Sequence, residues 1–114
     1  MHEMGIAIEL LDSLRGICKD NGLKKLRSVT LTLGEASMVV PRFMSECWDA
    51  AVADTEFKAT KLKIVTTIAH GRCNQCGTEF AIRENEQKCP HCGAFNDFVP
   101  IDGMEVEITQ VEAE

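Results

Sequence analysis

The chain has 114 residues, enough for one ordinary domain or for one small domain carrying a smaller, metal-stapled one. Hydrophobic residues make up 45% of it, yet no apolar run is long enough to cross a bilayer, which reads as a soluble protein without a membrane partner. Twelve basic against eighteen acidic residues leave a formal charge of −6, and the basic ones gather only weakly, at Lys24, Lys25 and Arg27. No patch fit to neutralise phosphates results, so nucleic acid is not an expected partner; the acidic balance suits a protein or a metal cation better.

From Met4 to Asp20 apolar residues recur at Ile6, Leu10, Leu14, Ile17 and Cys18, with Leu11 alongside, the spacing of one face of an amphipathic helix. Asn21-Gly22 then supplies residues that tolerate a left-handed stop. Leu26 to Leu33 alternates as a half-buried strand that ends at Gly34, and Glu35 to Val40 reads as a loop. Pro41 opens a second helix at the one position where its missing N–H costs nothing, and Phe43, Met44, Cys47, Trp48 and Ala51 form its apolar stripe. Cys18 and Cys47 are expected as buried core thiols. Leu62, Ile64, Thr66 and Ile68 alternate as a second strand and Met104, Val106 and Ile108 as a third, leaving Glu112-Ala113-Glu114 as a solvated end.

Between the last two strands lie Cys73-Asn74-Gln75-Cys76-Gly77 and Cys89-Pro90-His91-Cys92-Gly93. Twelve residues separate the pairs, enough for a hairpin that brings four sulfurs to the corners of a tetrahedron. The glycine closing each pair is expected to turn the backbone so that its N–H groups face the thiolates. Zinc is the default metal; iron, as in a rubredoxin-like electron carrier, fits the same geometry. A chain opening Met-His-Glu-Met carries no secretory signal, which argues against disulfides and for the cytoplasm. So small a segment has little core, and bound metal is expected to hold it folded with on the order of 10–16 kcal/mol. Four cysteines leave no open position for a substrate, which makes the site structural.

The expected fold is therefore α/β (α+β): two helices packed on a small three-stranded sheet, with an inserted four-cysteine zinc-ribbon domain. The body spans residues 1–69 plus 102–114 and the ribbon 70–101. At the other end of the chain, the terminal amine of Met1, the backbone nitrogens of His2 and Glu3 and the His2 imidazole can present nitrogen donors in a plane, which suits Ni(II) or Cu(II). The bulk of His2 hinders removal of Met1, and the Glu3 carboxylate is an outer partner or an extra ligand. His70, just before the first pair, is within the sequence a candidate to reach toward that site, and His91 reads as an exposed knuckle residue.

Several of these stretches recur together in one family. Met1-His2-Glu3-Met4, Leu33-Gly34-Glu35 with Ser37, Pro41, the paired knuckles ending in Cys-Pro-His-Cys-Gly, and Gly103-Met104-Glu105-Val106 resemble, end to end and in order, the HypA/HybF family of hydrogenase nickel-insertion accessory proteins. The resemblance implies a non-enzymatic metallochaperone that binds transported Ni(II) at His2 with backbone nitrogens of Met1, His2 and Glu3, and structural Zn(II) at Cys73, Cys76, Cys89 and Cys92. It implies as partners a hydrogenase maturation GTPase and the [NiFe]-hydrogenase large-subunit precursor; in some bacteria members of the family also supply urease, which adds urease accessory proteins. Some members place a histidine after each cysteine pair and couple zinc coordination to acid or nickel. Gly77 and Gly93 stand at those positions here, so a ligand-switching zinc site is not expected. No catalytic constellation is legible, and GTP hydrolysis would belong to the partner. The competing reading is a zinc-ribbon interaction module in transcription or RNA processing, which predicts salt-sensitive nucleic-acid binding.

Overall fold

The computed structural model describes residues 3–114, which gather into two compact units. One holds the chain up to Thr32, Val39–Val65 and Glu107–Glu114; the other holds Leu33–Met38 and Thr66–Val106.

In the first unit, helix α1 (Glu3–Asn21) packs on helix α2 (Pro41–Val52). Strand β1 (Leu26–Gly34) lies between β2 (Lys61–Thr67) and β6 (Val106–Ala113) in a three-stranded sheet. The periodic positions of α1, Ile6, Leu10 and Leu14 with Ala7 and Leu11, are buried, as are Val29 and Leu31 of β1. Gly22 takes φ 64° and ends α1, with the Leu23 N–H donating to the Cys18 carbonyl at 2.9 Å. Trp48 is fully buried and its indole N–H donates to the Thr60 carbonyl at 3.1 Å, while the Thr60 hydroxyl donates to the Leu26 carbonyl at 2.8 Å. Burying these polar groups therefore leaves none unpaired.

Some expectations for this unit need correction. Phe43 is 48% exposed, because the buried face of α2 runs through Met44, Trp48 and Val52 at four-residue steps and Phe43 lies one residue off it. Cys18 and Cys47 are half-buried rather than core residues. The C-terminal acidic residues are not a loose end, since β6 runs to Ala113. Glu112 accepts from Ser28 Oγ at 3.0 Å and from Lys63 Nζ at 2.9 Å, and the lysine and then the serine hold its carboxyl below the usual range. Charge at that position ties all three strands together.

In the second unit, β3 (His70–Cys73) pairs antiparallel with both β4 (Glu79–Ala81) and β5 (Phe98–Pro100), placing Arg72 opposite Glu79 and Cys73 opposite Phe98. Phe80 and Phe98 meet edge to face at 5.6 Å and 81° beside the buried Cys73 and Cys89. Residues Glu35–Ser37 form a 3₁₀ turn rather than a loop, and Met38 after it is left-handed at φ 67°. The Glu35 carboxylate is not merely solvated: it accepts from the Ala69 N–H at 3.1 Å and pairs with Arg83 at 3.4 Å. Gly34 and Gly103 pack backbone on backbone here, so a Cβ on Gly34 would sit 1.9 Å from the Gly103 oxygen and one on Gly103 would sit 2.4 Å from Ala69 Cβ.

That crowding predicts an asymmetry among glycines. Gly34→Ala should cost on the order of 2 kcal/mol or more in urea unfolding, because backbone must move to admit the methyl. Gly16→Ala, mid-helix with nothing within 4 Å, should be neutral to stabilising by up to about 1 kcal/mol. Equal effects would contradict the packing described.

Candidate metal centre

Two turns of the same design carry the four cysteines. In each, the N–H of the closing glycine donates to the carbonyl of the first cysteine at 2.9 Å, Gly77 to Cys73 and Gly93 to Cys89, with both glycines at φ 78°. In each, the N–H of the first cysteine donates to the carbonyl five residues on, Cys73 to Thr78 and Cys89 to Ala94, again at 2.9 Å. The glycine amides thus close the turn instead of facing sulfur. Amides two residues after a cysteine do that work: Gln75 N–H lies 3.4 Å from Cys73 Sγ, and those of Thr78 and Ala94 bond Cys76 and Cys92. Positive φ at glycine is what lets a four-residue turn fold back this far.

The turns present one buried and one exposed sulfur each: Cys73 and Cys89 are 2% exposed, Cys76 and Cys92 lie at the surface. All four Sγ atoms fall within 4.8 Å of one another, with Cys73–Cys92 at 3.5 Å and Cys76–Cys89 at 3.6 Å. Sulfurs at the usual zinc–thiolate distance in a tetrahedron stand about 3.8 Å apart, so the group fits a single tetrahedral ion. Its electrostatics agree. The Thr78 hydroxyl, 3.2 Å from Cys76 Sγ, and the Thr78 N–H hold the Cys76 thiol down to about 6. Although the Ala94 N–H favours its thiolate, Cys92 is pushed up to about 12 by proton sharing with Cys73 and by burial. Four negative sulfurs this close repel one another, and a divalent cation relieves that repulsion.

Among the described residues, the four-sulfur group takes in no further sequence-predicted residue. Met1 and His2 lie outside the described residues. Glu3 is half-buried at the start of α1, and its carboxylate accepts from the Val40 N–H at 3.1 Å, just ahead of α2. His70 holds its Nδ1 against the Asp102 carboxylate at 2.9 Å, and the Asp102 carboxylate also accepts the His70 N–H at 2.5 Å. His91 is exposed within the second turn. Asp97 escaped the sequence reading; it accepts from the Gln75 and then the Asn74 side chain, which hold its carboxyl below the usual range. Nothing in residue spacing signals it, because the strand register brings it to the first turn from 23 residues away.

Titration with Co(II) should give one ion per chain with the intense absorption of tetrahedral thiolate coordination, and Cys76→Ser should weaken that band. A spectrum of octahedral, oxygen-ligated cobalt would contradict the geometry.

The family model for hydrogenase/urease nickel incorporation, metallochaperone HypA, matches residues 1–113. Hydrogenase maturation factor HypA of Geobacter metallireducens is 35% identical over the full length of both chains, and that of Geotalea uraniireducens is equally similar. The solution structure of the Ni metallochaperone HypA from Helicobacter pylori superposes with a TM-score of 0.69 at 20% identity, covering 99% of this chain and 97% of that one, so the fold is shared. These matches do not favour a transcription or RNA-processing module.

Proposed function

The chain belongs to the HypA family of hydrogenase-maturation nickel metallochaperones, and we propose that it divides the two metals between two sites of different chemistry. Zinc sits among Cys73, Cys76, Cys89 and Cys92 and stays there, keeping residues 70–101 folded as a ribbon on a body of residues 1–69 and 102–114. Nickel is the cargo. It binds at the N-terminus through the Met1 amine, backbone nitrogens of His2 and Glu3, and the His2 imidazole. The single observation that carries this division is the closed four-sulfur group, which offers no position to an ion that must be handed on.

Each site then has a physical rationale. Soft thiolates suit zinc, whereas amine, amide and imidazole nitrogens suit square-planar Ni(II). Amide nitrogens bind only when deprotonated, so nickel affinity falls as pH drops and protons compete. The Glu3 carboxylate, held by the Val40 N–H, fixes the residue after His2 at the first turn of α1. A planar ion exposed above and below accepts ligands from a second protein, and delivery proceeds by exchange inside a complex. The recipient is the [NiFe]-hydrogenase large-subunit precursor, with a maturation GTPase supplying hydrolysis; urease accessory proteins are a further destination. The chain itself is not an enzyme in this reading, and it works in the cytoplasm. No described helix is long and apolar enough to cross a membrane.

Calorimetric titration of Ni(II) into zinc-loaded protein with an untagged N-terminus tests the assignment. Wild type should take up one nickel, and His2→Ala should lose that binding while keeping its zinc and its circular dichroism. Equal binding by both would place nickel elsewhere. The purified protein should also show no GTP hydrolysis on its own, and activity surviving rigorous purification would overturn the assignment of hydrolysis to a partner.

A further inference from the structure

The two cysteine turns share their backbone hydrogen bonds but differ in what braces them. The residues between Cys73 and Cys76 both reach one carboxylate: Asn74 Nδ2 donates to Asp97 Oδ1 at 2.8 Å and Gln75 Nε2 donates to Asp97 Oδ2 at 2.6 Å. The Asn74 backbone N–H donates to the Asp97 carbonyl at 3.0 Å. Their counterparts in the second turn are Pro90 and His91, both exposed, and among the described residues neither side chain makes a hydrogen bond or ion pair. The flanks differ too. The first turn leaves β3, which is paired on both sides, whereas the second is flanked by the isolated bridge between Lys88 and Phe95.

In a Cys-x-x-Cys turn the two intervening residues set where the second sulfur points relative to the first. Tying both side chains to one anion removes that freedom, and hydrogen bonds to an ionised acceptor are stronger than neutral ones. Asp97 is itself fixed, because the next residue, Phe98, lies opposite Cys73 in the β3–β5 ladder. The carboxylate therefore connects the first turn to the strand that follows the second, closing the ribbon around the four sulfurs without touching any of them. Groups outside the ligand set that fix how the ligands are oriented govern how well a metal is held.

The geometry points to Asp97 as the positioning residue of the four-cysteine site: it holds Cys73 and Cys76 in ligating shape and leaves Cys89 and Cys92 as the pair that lets go first when metal is withdrawn. The inference rests on the zinc reading above. It gives the ribbon a fixed half and a yielding half, although its two turns look alike in sequence.

The test uses the full chain, zinc-loaded and analysed first for one zinc per chain. Zinc is drawn off with excess 4-(2-pyridylazo)resorcinol while a cysteine alkylating reagent is present, and labelled peptides are mapped by mass spectrometry over time. In wild type, with each cysteine's labelling rate divided by its rate in metal-free protein, Cys89 and Cys92 should label ahead of Cys73 and Cys76. Asp97→Ala should release zinc roughly tenfold faster and abolish that order. The double variant Asn74→Ala/Gln75→Ala should reproduce both effects, and adding Asp97→Ala to it should change nothing further, a coupling that general loosening of the fold would not produce. If Asp97→Ala does not fold, the single Gln75→Ala at an exposed position should show a partial acceleration. Release within about twofold of wild type with the order unchanged, or additive effects in the cycle, would overturn the role of Asp97 and leave the zinc site standing. A preparation that holds no zinc would overturn the zinc reading and this inference with it.

Discussion

Four sulfurs within 4.8 Å of one another form a group that is stable as thiolates only around a cation, and much of the second unit depends on that constraint. Its buried cluster consists of Cys73, Phe80 and Cys89, with Ala94 and Phe98 packed alongside. Two of the three buried members are thus themselves ligand candidates. So little apolar burial cannot offset the chain entropy of the residues ordered around it. In the reading proposed above, metal coordination closes the difference, and the short strands, tight turns and Asp97 brace shape the cysteines to receive it.

The same chemistry is the reason the proposed function gives the cargo a separate place. A closed tetrahedron of thiolates holds its ion by leaving no access to it, whereas nickel in transit must be held and then surrendered. Nitrogen ligands at a chain terminus meet the second requirement, because an end of the chain can enter a partner's site without unfolding anything. The proposed arrangement therefore separates permanence from exchange by ligand type and by position. Family membership places the protein in nickel delivery for hydrogenase maturation; in the proposed arrangement, ligand chemistry is what would let one small chain carry two metals without mixing them.

Much of this was legible in the sequence because it rests on local periodicity. The faces of α1, the alternation in β1, the proline at the start of α2 and the spacing of the cysteine pairs each follow from short-range geometry. What escaped depends on contacts between distant segments. Glu35 looks like a solvated loop residue until Ala69 and Arg83 come to it, and Glu112 looks like part of a frayed end until Ser28 and Lys63 flank it. Asp97 has no spacing relation to Asn74 and Gln75; only the β3–β5 register joins them. Phe43 was misplaced for a different reason, since a helical stripe drawn too wide takes in a residue just beyond the buried face. Motifs that mark the family, Leu33-Gly34-Glu35 and Gly103-Met104-Glu105, turn out to meet: Gly34 N–H donates to the Glu105 carbonyl at 2.9 Å and Ala36 N–H to the Gly103 carbonyl at 2.7 Å.

In the proposed division the two metals occupy different ligand sets on one chain. X-ray absorption at both the zinc and nickel edges, recorded on a single sample of full-length protein loaded with one equivalent of each, tests it most directly. Zinc should be surrounded by four sulfurs at about 2.3 Å and nickel by nitrogen and oxygen alone in a planar arrangement. Sulfur in the nickel shell, or zinc with fewer than four sulfurs, would contradict it.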